Sequence, residues 1–197
     1  VTVVPILRPW RPADASVLLA ASADPELARQ LGGRTFDDES AAAAFIATTY
    51  RFDGHARNWA IVDDGDGDGD GDGDGDCDCV GVVVGNVGVT AIEHTHGTAW
   101  TSYWLTPETR GRGLATRALV TAADDAFALG VHRLELGHRT NNPGSCAVAT
   151  RAGFRAEGVE RDKLRYGDDR FDVETHARLA TDPAPDVAGL RSVVSDA

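Results

Sequence analysis

Trp104-Leu105-Thr106-Pro107-Glu108-Thr109-Arg110-Gly111-Arg112-Gly113-Leu114-Ala115 is the stretch on which the reading of this 197-residue chain turns. An apolar run ending at Leu105 enters a short turn rich in glycine and arginine, and the turn opens directly into an amphipathic segment. Glycine lets a backbone fold tightly around an oxyanion, and the first N–H groups of a helix point outward without partners. The helix dipole adds positive potential at the same place. Arg110 and Arg112 can contribute charge-assisted hydrogen bonds. A turn that used glycine for geometry alone would not need two arginines beside a helix start.

Downstream, Leu114, Ala118, Leu119, Ala122, Ala126 and Leu129 fall on one helical face, and Gly130 stops the helix. A strand follows over Arg133 to His138. Asn142 then caps a short helix that has Pro143 at its first position and ends at Gly153. Phe154 to Leu164 and Arg170 to Leu179 form a closing hairpin around Tyr166-Gly167-Asp168-Asp169. Upstream, Val3 to Arg8 reads as a strand; Asp14 to Ser22, Pro25 to Leu31 and Asp37 to Tyr50 read as helices. Strands are expected at Asn58 to Val62, Cys79 to Ile92 and Thr98 to Leu105, the last two close enough to be antiparallel. The strands at Thr98 and Arg133 are joined through a helix and are therefore expected to be parallel. The fold class is mixed α/β: a mostly antiparallel sheet with a central parallel pair and flanking helices.

Three kinds of phosphate-binding turn fit this local shape. A Walker-type loop needs Gly-Lys-Ser/Thr, and no lysine is present there. The dinucleotide fingerprint needs a third glycine where Thr116 stands, although Glu135 lies at the distance of its ribose-binding acid. The antiparallel meander ahead of the turn is also not a βαβ series. The remaining kind is an acyl-carrier turn. Arg110-x-x-Gly113-x-Ala115 resembles the acetyl-CoA signature of the GNAT superfamily, which runs Gln/Arg-x-x-Gly-x-Gly/Ala. The resemblance extends through Tyr103-Trp104-Leu105, Asn142-Pro143-Gly144-Ser145 and Arg151-Ala152-Gly153-Phe154, and covers about Leu7 to Leu179. The closing hairpin, with Arg161-Asp162, Gly167 and Asp172, is similar to the RimJ/RimL-type branch, which acetylates N-terminal α-amino groups or related amines.

That resemblance implies a GNAT domain over residues 1–180 in which the two central strands splay apart near Leu105 and His138. It implies acetyl-CoA as co-substrate and a primary amine as acceptor (a protein N-terminus or a small molecule), and it is compatible with a homodimer. With no export-signal pattern over Val1 to Trp10, cytoplasm is the default expectation. The turn amides of Gly111, Arg112, Gly113, Leu114 and Ala115, helped by Arg110 and Arg112, would hold the CoA pyrophosphate. Backbone at Trp104 and Leu105 would bind pantetheine and polarise the thioester, Asn142 would touch pantetheine, and Ser145 would sit near sulfur, where the departing thiolate needs a proton or a hydrogen bond from it. For Ser145 and Asn142 plain helix capping is the competing role. Relatives often carry glutamate where Trp100 stands; here Trp100 is either a pocket wall or a core aromatic. Glu93, His94, His96 and His138 stand as replacement bases, beside direct attack by a neutral amine. A degenerate acyl-CoA-binding module without turnover is the alternative reading.

Charge and cysteine usage add little. Nine aspartates lie between Asp63 and Asp78, so most of the net charge of −12 belongs to one stretch. No basic face for nucleic acid is evident, and no apolar run is long enough for a membrane span. The Asp-Gly alternation within 64–78 reads as a flexible, solvated hairpin insertion. Counted from Asp66 as an EF-hand, its twelfth position is Cys77 in place of glutamate. Cys77, Cys79 and Cys146 suggest free thiols, and no metal site is expected. Residues 181–197 read as a C-terminal tail.

Overall fold

Leu7, Trp59 and Ile61 are completely buried on one side of a sheet, while Ile6, Ala60 and Val62 are buried on the other. Period-two alternation with both faces apolar requires cover on both sides. The computed structural model describes residues 4–63 and 81–194, and the Asp-Gly insertion expected at 64–78 lies outside the described residues. Its strands are β1 (Ile6–Pro9), β2 (Arg57–Asp63), β3 (Val82–Glu93), β4 (Thr98–Leu105), β5 (Arg133–Arg139), β6 (Arg155–Tyr166), β7 (Asp169–Leu179) and β8 (Arg191–Ser192). Its helices are α1 (Ala15–Ala23), α2 (Pro25–Gln30), α3 (Glu39–Thr49), α4 (Leu114–Ala128) and α5 (Pro143–Arg151). The sheet order is β6-β7-β5-β4-β3-β2-β1-β8. Among the described helices none is long and apolar enough to cross a membrane.

Helices α4 and α5 cover one face, where Leu114, Ala118, Leu119, Ala122 and Ala126 pack with Trp59, Val87 and Leu134. Helices α1 to α3 cover the other, around Trp10, Leu18, Leu27, Ile46 and Trp104. The expected face of α4 is borne out except at Leu129, which follows the last helical residue and is 40% exposed. Gly130 ends the helix with φ at +90°. Arg57 reaches from β2 to Asp125 of α4 at 3.0 Å, and burial keeps the Asp125 carboxyl above its ordinary range despite that partner.

All neighbouring strands are antiparallel except β4–β5 and β1–β8. The β4–β5 pairing joins Thr98 to Arg133, Ala99 to Leu134 and Trp100 to Glu135, and there it stops. Both strands continue, β4 to Leu105 and β5 to Arg139, so the expected splay is present. Among the described residues, β4 beyond Trp100 keeps β3 on one side and has no strand on the other.

The segment read as a tail instead returns to the domain. Leu190 is 5% exposed within the α4 core, Thr121 donates to its carbonyl at 2.8 Å, and β8 adds to the β1 edge in parallel. The apolar residues around Leu190, namely Val187, Ala188, Val193 and Val194, are too few and too irregularly spaced for a periodicity argument.

Gly85 sits where β3 backs the open part of β4. A Cβ there would lie 2.3 Å from the Trp104 carbonyl oxygen and 2.7 Å from Leu105 Cδ2. Backbone cannot yield as a side-chain tip can. Gly85→Ala is therefore expected to cost about 1–3 kcal/mol of stability, read as a lower urea midpoint at unchanged slope.

Candidate active site

The turn after β4 is built by glycines in the left-handed region, Gly111 at φ +81° and Gly113 at φ +79°. A side chain at either would be strained, yet a Cβ at either would meet nothing within 4 Å. The space in front of this backbone is therefore open. Gly113 is also the N-cap of α4, so the helix has no side-chain cap and its leading N–H groups are left for something else. Anion binding by these amides is what such a geometry favours.

Arg110 stays at the turn. Its Nε donates to the Leu105 carbonyl at 3.3 Å, and its Nη1 reaches Glu26 of α2 at 3.3 Å across the mouth. Arg112 does not join it. Its guanidinium pairs at 2.5 Å with Asp63, a carboxylate 2% exposed at the end of β2, and Arg112 is absent from the walls of the cleft. The arginine expected to assist the anion is thus committed to a buried acid.

The cleft has a volume of about 280 Å³ and is lined by Arg110, Gly111, Gly113, Leu114, Asn142 and Ser145, among others. A second cavity of about 200 Å³ lies beyond the splay, walled by Trp100, Leu136, His138, Arg139 and Tyr166. The two share Tyr103, Asn142 and Ser145, with Glu26 and Gln30 of α2 above them. The expected turn residues, Asn142 and Ser145 thus come together. Trp104 and Leu105 do so by backbone: the Trp104 side chain is 4% exposed in the α1–α3 core, where its Nε1 donates to the Tyr50 hydroxyl at 3.0 Å.

Asn142 does cap α5, its Oδ1 accepting from Ser145 N at 3.1 Å. Asn142 also lines both cavities. Trp100 takes the pocket-wall position, with Lys163 Nζ 5.6 Å over its ring. Glu93, His94 and His96 do not reach either cavity. They occupy the turn before β4, where the Glu93 carboxylate accepts from Thr95 N and His96 N and is held below its usual range by those bonds. His94 instead contacts the Gly54 carbonyl at 2.8 Å.

Tyr103 and Glu26 are site residues that sequence reasoning did not assign. Tyr103 belongs to a quoted motif, but only the splay shows that its ring divides the two cavities. Glu26 comes from a helix with no motif of its own, 84 residues before Arg110. Tyr103 donates to the Ser145 carbonyl at 3.1 Å, and burial pushes its hydroxyl up to about 12. It therefore stays protonated at any physiological pH.

A family model described as "Acetyltransferase (GNAT) domain" matches residues 6–155. A Bacillus subtilis (strain 168) protein, "Probable N-acetyltransferase YjcK", is 38% identical over 69 residues, 34% of this chain and 38% of its own. The Escherichia coli (strain K12) "Ribosomal-protein-serine acetyltransferase" is 31% identical over 98 residues, 49% of this chain and 55% of its own. The matches thus span about half or less of these relatives. A solved Vibrio cholerae spermidine N-acetyltransferase, in complex with CoA and spermine, superposes with a TM-score of 0.73 at 17% identity, covering 90% of this chain and 96% of that one.

The Tyr103 environment predicts alkaline sensitivity. Its hydroxyl titrates near 10 in an unfolded chain and near 12 when folded, and Tyr50 behaves alike. The folded state keeps these protons longer, so stability is complete below about pH 10 and declines as pH rises towards 12. Each tyrosine accounts for on the order of 2 kcal/mol of that loss. Tyr103→Phe should flatten the decline, measured by urea unfolding across this window.

Proposed function

Since the chain belongs to the GNAT acetyltransferase family, we propose that it is an acetyl-CoA-dependent N-acetyltransferase that transfers an acetyl group to a primary amine by direct attack on the thioester. The observation that carries this reading is the meeting of the two cavities at Tyr103, Asn142 and Ser145. One cavity begins at uncapped amides suited to a diphosphate, and the other opens on the far side of the splay. A thioester held at their junction faces both.

The residues fit the co-substrate. Open space in front of Gly111 and Gly113 leaves room for a pyrophosphate, and the amides from Gly111 to Ala115 would hold it with Arg110. The Arg112 guanidinium, held by Asp63, takes no direct part. The unpaired edge of β4 at Trp104 and Leu105 offers peptide groups to pantetheine, and the Asn142 amide adds a donor from α5. Acetyl-CoA supplies the activated acyl group. The chain supplies orientation, fixed donors for the developing oxyanion, and exclusion of water.

The acceptor amine attacks as the neutral base, forming the N–C bond, and loses its surplus proton to solvent. As the C–S bond breaks, the Ser145 hydroxyl donates to the thiolate. An α-amino group, titrating at about 7.7–8.0, provides more neutral amine than a lysine at about 10.4. Glu26, half exposed at the top of both cavities, attracts an amine in its charged form. The acceptor is a peptide N-terminus or a small amine, in keeping with relatives named for a ribosomal protein and for spermidine.

Calorimetry with CoA and acetyl-CoA, alongside thiol release on a panel of amines, tests the proposal. Arg110→Ala is expected to weaken CoA binding roughly tenfold, equal to about 1.4 kcal/mol. Ser145→Ala is expected to leave binding nearly unchanged while kcat falls by about 10². Binding without turnover on any amine would support the acyl-CoA-binding module; indifference to both CoA forms would end both readings.

A further inference from the structure

Beneath the second cavity, His138 of β5, Cys146 of α5, and Glu174 and His176 of β7 converge. Each offers one ligand-type atom, and these atoms all lie within 4.8 Å of one another. Three of the contacts are close: His138 Nε2 to His176 Nε2 at 3.0 Å, His176 Nε2 to Glu174 Oε2 at 3.0 Å, and His138 Nε2 to Glu174 Oε2 at 3.3 Å. The histidine side chains are 5% and 1% exposed. We propose that this cluster is a binding site for a divalent transition metal of the zinc class, and that the metal fastens α5 to β5 and β7.

The backbone creates the convergence. His138 pairs with Glu174 and Leu136 with His176 across the β5–β7 ladder, which puts both imidazoles and the carboxylate on one patch of the sheet. Helix α5 lies over that patch and brings Cys146 down to it, one residue past Ser145.

Hydrogen bonding then orients the donors. His138 Nδ1 lies 3.0 Å from the Arg139 carbonyl, which can only accept, so Nδ1 carries the hydrogen. Its Nε2 is then the lone-pair nitrogen of the neutral ring, aimed at the carboxylate and the second imidazole. Fixing one ring nitrogen through a backbone carbonyl is how metal-binding histidines are commonly set. At the focus itself, two nitrogens, a carboxylate oxygen and a sulfur compete for the few protons available.

The donor set fits the metal. Two imidazoles, a thiolate and a carboxylate are each zinc ligand types, and four of them match its tetrahedral coordination number. Zn–N distances of about 2.0–2.1 Å in a tetrahedron separate ligand atoms by about 3.3 Å, so the His138, Glu174 and His176 atoms at 3.0 to 3.3 Å need only a slight expansion, and the widest separation in the cluster, 4.8 Å at most, closes as Cys146 moves in with α5. No local sequence motif announces this site, since its ligands are contributed by three separate elements.

The test uses the full chain, reduced and stripped with a chelator, then titrated with Co²⁺. One equivalent is expected to bind, giving the intense visible bands of tetrahedral cobalt and a thiolate-to-cobalt charge-transfer band, both bleached by Zn²⁺. The charge-transfer band should persist in a Cys77→Ser/Cys79→Ser variant and vanish in Cys146→Ser. Zn²⁺ should raise the melting temperature of the wild-type protein and leave that of His176→Asn unmoved. Folded protein with no saturable Co²⁺ or Zn²⁺ binding would overturn the site. So would a cobalt spectrum without the thiolate band, or one unchanged by Cys146→Ser, since the ion would then sit elsewhere. None of these readouts depends on CoA binding, so failure here leaves the transferase reading intact, and the reverse.

Discussion

The β4–β5 ladder ends after three residue pairs, and the rest of the site depends on that ending. A parallel pair carried to its full length would satisfy the backbone of both strands and leave no room for a ligand. By parting at Trp100 and Glu135, the strands expose peptide groups along β4 that must find partners outside the sheet. The same parting opens a gap that α5 covers only partly. The result is a passage through the sheet, with the glycine turn at one end and Trp100 and Tyr166 at the other.

Holding the strands apart takes packing on both sides. Trp104 anchors β4 from below, wedged beside Trp10 with its indole N–H on Tyr50, so its backbone can face the cleft while its side chain belongs to the core. Gly85 allows β3 to approach that backbone closely. On the other side, α5 is tied to β4 through the Tyr103 hydroxyl and the Ser145 carbonyl. The position of Ser145 is therefore set by a cap, a tyrosine and the buried cluster below it.

Much of this is legible in the chain. The span of β4 coincides with the alternating run from Thr98 to Leu105, and α5 starts and stops where Asn142, Pro143 and Gly153 place it. These elements declare themselves because their signals are local: periodicity, a cap, a stop. The parallel pairing of β4 with β5 follows from the intervening helix. What stays hidden is whatever depends on distant partners. Arg112 looks like an anion ligand until Asp63, a neighbour only in space, claims it. Glu26 lies on a helix whose pattern says nothing of its destination. Leu190 lies in a stretch whose apolar residues follow no regular period, and its burial is decided by α4. The cluster of two histidines, a cysteine and a glutamate has no spacing that a local reading could detect, since strand register brings three of its members together.

The two cavities are separated by little more than one tyrosine ring and the first turn of α5. A single molecule carrying both a diphosphate-bearing arm and an amine-bearing arm, joined by a short linker, would fill both at once. Once its first arm is seated, the second binds at the high effective concentration that a short tether imposes. Bisubstrate compounds of that shape would gain affinity from the passage itself, with no new contact to either wall.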